Sequence, residues 1–145
     1  MKKYINIAFV YAILAMAGGV FYREFTKLNG FTGRTALAFV HTHLFLLGMV
    51  VFLLGMVVFL LAALFAGRLA LEGCRLWRPF LVVYNLGVAV TALLLAVRGV
   101  AQVLSLPLSR GADAAISGVA GLGHILTGVG LVFFFLCLRR CARDG

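Results

Sequence analysis

The chain has 145 residues, 64% of them hydrophobic and only 12% charged, with a mean hydropathy of +1.14. A water-soluble domain of this size has no interior able to hide that much apolar side chain, so the chain requires a bilayer as solvent. The net charge of +9 does not imply nucleic acid, because the cations cluster at the ends of long uncharged runs.

Those runs are Tyr4–Tyr22, Thr35–Gly67, Pro79–Val97 and Ala114–Leu138. A hydrocarbon core of about 30 Å is crossed by roughly 20 apolar residues of helix. The expectation is an all-α integral membrane protein, a single bundle of four transmembrane helices filling residues 1–145, with spans at about 4–23, 35–66, 79–104 and 113–138. Lys2, Lys3 and the apolar stretch up to Ala15-Met16-Ala17 imitate a secretory signal peptide, but we read this segment as the first span.

The first span places Tyr4, Tyr11, Ala15, Gly18 and Tyr22 at helical spacing. Such a stripe of small and amphipathic groups suits a protein interface better than lipid. Arg23 and Glu24 close the span, and Asn29-Gly30 and Thr32-Gly33 signal turns in a short loop. The second span is uncharged for longer than a bilayer needs, so it must tilt or project. A basic loop around Gly67–Arg78 carries Trp77 as an interface anchor, and Pro79 suits the first turn of the third helix.

The third span aligns Tyr84, Gly87, Thr91, Arg98 and Gln102. Pro107 and Gly111 mark the next turn. The fourth span puts Ser117, Gly121, His124 and Gly128 on one face, so nothing bulky crowds the imidazole.

Lys2, Lys3, Arg68, Arg75, Arg78, Arg139, Arg140 and Arg143 lie on one side of these spans. Arg23, Lys27, Arg34 and Arg110 form the smaller group opposite, which predicts that both termini are cytoplasmic. Cys74, Cys137 and Cys141 then sit at the reducing end, against a disulfide framework. Cys137 and Cys141 share a helix face and could hold a metal, although free thiols are the plainer reading.

Ionisable groups inside a membrane are costly and persist where they pair, bind an ion or line a path. Here they are His41, His43, His124 and Arg98, all in the outer half on this topology. In His41-Thr42-His43 the imidazoles stand about 200° apart around the helix, which argues for two pockets rather than one small ion shared by the pair. Haem suits such a pocket, because imidazole ligates its iron and the porphyrin needs apolar walls. Gly48 and Gly55 leave room for a flat macrocycle, and Arg98, Arg23 and Gln102 are candidates to meet the propionates. Each residue also has a plainer role. The histidines can bond to a neighbouring helix, and Arg98 can snorkel to the head groups.

The segment Phe39-Val40-His41-Thr42-His43-Leu44-Phe45-Leu46-Leu47-Gly48-Met49 resembles the His-x-His helix of haem-copper oxidase catalytic subunits. In that family the two histidines serve two haems on opposite helix faces, and arginines at the outer end of the next helix hold propionates, a position that Arg98 matches. The resemblance implies haem b ligated by His41 and His43, with His124 supporting that site or serving as an alternative ligand. Because those subunits form a twelve-helix ring from three four-helix arcs, it also implies a homotrimer with a haem between His41 of one subunit and His43 of another. The whole chain is similar to a family of short four-span bacterial membrane proteins of unknown function, through Tyr22-Arg23-Glu24-Phe25, His41-x-His43, Arg98-Gly99 and Gly123-His124.

No adjacent histidine pair and no row of acids is present, since the acids are Glu24, Glu72, Asp113 and Asp144, so proton-pumping oxygen reduction is not expected. The expected function is therefore that of a cytochrome b-like protein of the bacterial cytoplasmic membrane. It would transfer electrons with a redox partner, or sense or handle a diatomic gas. A simpler member of this class is a monomer with haem between His41 and His124. The competing readings are a copper or zinc handling protein using the three histidines, and a non-catalytic assembly subunit whose polar groups stitch helices together.

Overall fold

The computed structural model describes residues 2–54 and 73–144. The lower part of the expected second span, with Gly55, and the loop carrying Arg68 and Glu72 lie outside the described residues, as does the Cys141 side chain.

Four helices are described: α1 (Lys2–Leu28), α2 (Leu37–Leu54), α3 (Trp77–Val103) and α4 (Arg110–Asp144). Each is long and apolar enough to cross a membrane, and no strand occurs among the described residues. The chain is thus an all-helical, multi-pass membrane protein with lipid around it. We call the end bearing the α1–α2 and α3–α4 connections the upper end.

Helix α1 runs beyond the expected boundary, because Arg23, Glu24 and Lys27 are adequate helix formers and remain exposed. It stops where Gly30 takes a left-handed φ of 58°, and the Asn29 amide covers the Phe25 carbonyl at 2.8 Å. Helix α4 begins earlier than expected, because Ser109 Oγ accepts the Ala112 N–H at 3.1 Å and caps its first turn.

Helix α2 changes character along its length. Leu37–His43 is α-helical, but Leu44–Val50 winds as a wider π-helix before returning to α. Two tyrosines wedge into this stretch. Tyr84 donates to the Leu47 carbonyl at 2.7 Å, and the Tyr11 ring lies where a Cβ on Gly48 would be, 2.4 Å from its nearest atoms. Side chains inserted against the backbone ladder are a recognised cause of such widening. The room at Gly48 that the sequence offers to a macrocycle is therefore taken by Tyr11.

The expected interface stripe on α1 is buried at Tyr4, Tyr11 and Ala15. Gly18 continues it against Val40 and His41 of α2. Helix α3 packs on α2 and, along the longest seam, on α4. Backbones approach closely there, since a Cβ on Gly87 would come within 2.5 Å of the Thr127 nitrogen and 2.8 Å of the Gly123 oxygen. The lower half is filled by rings: Phe80 lies 5.2 Å from Trp77, 5.4 Å from Tyr84 and 5.1 Å from Phe134 between centroids. Trp77 Nε1 donates to Tyr4 Oη at 2.7 Å, which ties α3 to α1.

No extended seam joins α1 to α4 among the described residues. The helices form an open arc, with α3 at its back and one flank of α4 uncovered.

Candidate functional site

The histidines gather toward the upper end of this arc, and the structure pairs them selectively. His43 of α2 and His124 of α4 face each other, with ring centroids 5.7 Å apart and planes at 89°. His41, two residues earlier, turns to α1: Cβ atoms on Gly18 and Gly19 would lie 4.0 and 3.8 Å from its Cβ. The opposition of His41 and His43 expected from helix geometry is present. The partner of His124 is His43 rather than His41, so the simpler monomeric arrangement with haem between His41 and His124 does not match the fold.

The orientation of the pair is set within each helix. His43 Nδ1 lies 2.9 Å from the Phe39 carbonyl, and His124 Nδ1 lies 2.9 Å from the Ala120 carbonyl. A carbonyl only accepts, so Nδ1 carries the proton in both rings. In neutral imidazole the lone pair then falls on Nε2, the state that ligates metals. Two imidazoles bound to one ion at about 2.0–2.1 Å have centroids about 5 Å apart at a tetrahedral angle and about 6 Å apart when opposed. The observed separation lies in that interval.

His41 differs. Its Nδ1 is buried without a hydrogen-bond partner, although the residue as a whole is only partly buried. A buried lone pair or N–H left unmatched is costly, so this imidazole is the least satisfied of the three.

Above the pair, Tyr22, Arg34, Thr35, Ala38, Phe39, Leu95, Arg98 and Gln102 line a groove of about 650 Å³ around the start of α2. Arg98 spans from α3 to α4, donating to Asp113 Oδ1 at 2.5 Å and to Ser117 Oγ at 3.0 Å. It is therefore paired within the chain rather than snorkelling, and a carboxylate arriving in the groove would have to share it with Asp113. Gln102 has a structural duty that its sequence position did not reveal: Oε1 accepts the Ala36 N–H at 2.7 Å and covers the start of α2. Thr35 Oγ1 adds a bond to the Gly99 carbonyl at 3.0 Å.

Arg23 is not among the residues lining this groove. Its side chain is 81% exposed and, among the described residues, pairs with Glu24 at 3.8 Å. Arg34 takes the place that sequence reasoning gave to Arg23. The signal was available in the proximity of Arg34 to the start of the second span, but helix phase alone does not orient a loop residue.

The expected face of α4 is open as anticipated. Nothing lies within 4 Å of a Cβ built on Gly121 or Gly128, and His124 is exposed between them. The buried face of α4 carries Gly123, Thr127, Gly130, Phe134 and Cys137 instead. Among the described residues no group of three or more His, Cys, Asp or Glu side chains converges on one point. Cys74 and Cys137 are buried.

This architecture defines a four-helix multi-pass membrane protein with a histidine pair bridging the second and fourth helices. The chain matches, over residues 1–141, the family described as Protein of unknown function (DUF2871), and it belongs to that family. No curated protein and no solved structure matches it.

Proposed function

We propose that this is a haem b-binding protein of the bacterial cytoplasmic membrane, with both ends cytoplasmic, serving electron transfer. The observation that carries the reading is the His43–His124 pair at 5.7 Å, each ring fixed through Nδ1 with Nε2 left to ligate. The donor set fits the group. His43 and His124 would hold it through their imidazole nitrogens, and the groove at the start of α2, which neither histidine lines, offers Phe39 and Leu95 as apolar wall and Arg34 and Arg98 as cationic partners for propionates.

When bound, haem supplies a one-electron ferric/ferrous couple. Ligation by two histidines leaves no open position on the iron, which favours electron transfer over binding a diatomic gas. The open arc supports assembly into a homotrimeric ring. In that ring His41, unsatisfied within its own subunit, would gain a ligand or partner from the next.

The same separation favours a second reading, in which His43 and His124 hold a bare copper or zinc ion. One experiment addresses both: optical spectra of the detergent-purified protein, oxidised and reduced, from haem-replete cells, together with metal analysis. A sharp Soret band and a resolved reduced α band, each lost in His43→Ala and His124→Ala, are expected. Colourless protein carrying about one copper or zinc ion per chain would transfer the site to the second reading. Colourless, metal-free protein would leave the histidines a purely structural role.

A further inference from the structure

A second concavity lies away from the histidines, where α1 and α3 converge below them. It encloses about 700 Å³ and is lined by Asn6, Ile7, Val10, Tyr11 and Leu14 of α1 with Asn85 and Ala89 of α3. Pockets of this size hold small molecules, commonly with apolar walls and a few placed polar groups. Val10, Leu14 and Ala89 are exposed, so the groove is reached from the hydrocarbon region.

Its polar groups are unusual at that depth. Tyr11 Oη donates to Asn85 Oδ1 at 2.8 Å, and Asn85 Nδ2 donates to the Leu81 carbonyl at 2.7 Å. An amide carries two N–H donors and a carbonyl oxygen with two lone pairs, so Asn85 retains one donor and one acceptor position. The exposed Asn6 amide makes no hydrogen bond among the described residues. Asn6 lies close to the basic start of α1, but Asn85 is further into its span, where lipid tails cannot satisfy an amide and polar side chains mark bound ligands or pathways.

We propose that this groove binds a lipid-soluble molecule of the quinone class: a flat apolar ring bearing hydrogen-bonding oxygens, with an isoprenoid tail. The lining contains no charged side chain, so it offers nothing to an anionic phospholipid head group. A tail alone would leave the amides unmatched. A ring oxygen accepts from Asn85 or Asn6, the ring packs on Ile7 and Tyr11, and the tail leaves past Val10 and Leu14. The assignment stands on this groove alone and does not depend on haem.

The test uses full-length protein in nanodiscs and a decyl-tailed benzoquinone as probe. Quinone retained per chain is quantified by extraction and chromatography, and affinity by titration. Wild-type protein is expected to retain about one equivalent, and Asn85→Leu and Asn6→Leu to lower affinity at least tenfold. Ala89→Trp, which fills the groove from its rim and leaves the hydrogen bonds intact, should do the same if an asparagine variant fails to fold. Leu93→Ala, on the exposed side of α3, should bind as wild type. Equal retention in all variants, or extraction of phospholipid alone, overturns the proposal. So does an oligomer that dissociates on Ala89→Trp with quinone binding unchanged, which would assign the groove to a second copy of the chain. Because the readout is bound quinone rather than a haem spectrum, it can fail or succeed independently of the haem reading.

Discussion

The lower half of the bundle and the histidine pair above it solve opposite problems with the same helices. In the lower half, rings from α1, α2, α3 and α4 interlock, and their polar atoms bond across helices, as Trp77 does to Tyr4 and Tyr84 to Leu47. In the upper half, the imidazoles of His43 and His124 bond to their own helices, at Phe39 and Ala120, and keep their second nitrogen uncommitted. Cross-helix bonds specify which helices are neighbours. Bonds within one helix fix a side chain without consuming its capacity for something else. Thr35, Arg98 and Gln102 also bond across helices at the upper end, so the contrast is between the histidine pair and the contacts that join the helices: changing the histidines should spare the fold, and changing the seams should not.

The largest effect is expected at the α3–α4 seam. Gly87→Leu drives a side chain into the Thr127 and Gly123 backbone, where no flexible group can yield. Overpacking usually costs about 1–3 kcal/mol and more against backbone. The variant should fail to yield a monodisperse peak on size exclusion, and normal yield would show the seam to be looser than it looks.

Next comes a spectral effect with little change in stability. If the protein binds haem as proposed, His43→Ala and His124→Ala should each remove its six-coordinate spectrum while moving the melting temperature by no more than a few degrees. His41→Ala separates the possible assemblies. If the ligand pair lies within one chain, the spectrum survives; if a ring of subunits draws on His41, it is lost.

A smaller change is expected from Tyr84→Phe, which removes the bond to Leu47 and leaves the ring packing in place. The loss should be about 1 kcal/mol, read as a lower melting temperature in detergent with no change in any haem spectrum. A spectral change would break the division between the histidine pair and the contacts that join the helices. The smallest belongs to Arg23→Ala. An exposed pair at 3.8 Å contributes at most about 1 kcal/mol and commonly nothing measurable, so stability and spectrum should match wild type.

The four spans were legible because the requirement behind them is blunt: uncharged runs long enough to cross a bilayer. Their ends were less so. Arg23 and Lys27 mark where lipid stops, not where hydrogen bonding stops, and α1 carries on to Leu28. The opposition of His41 and His43 was readable, since it depends only on the rotation per residue. The pairing of His43 with His124 was not, because it depends on which helices are adjacent and at what depth. The pairing of Arg98 with Asp113 and the bond from Gln102 to Ala36 escaped for the same reason. The π-helical stretch leaves no local trace, as Leu44–Val50 reads as ordinary apolar helix until Tyr11 and Tyr84 are seen lying against it.

The open arc bears on how the protein is made. Neighbours in the chain are neighbours in the membrane: α2 settles on α1, α3 on α2, and α4 on α3. Each helix leaving the synthetic machinery therefore finds its docking partner already in place, with no wait for a distant segment. Contacts local in sequence fold fast, and N-terminal parts assemble first during synthesis. Docking of α4 on α3 then brings His124 to His43, while Gly121 and Gly128 stay free of contact among the described residues.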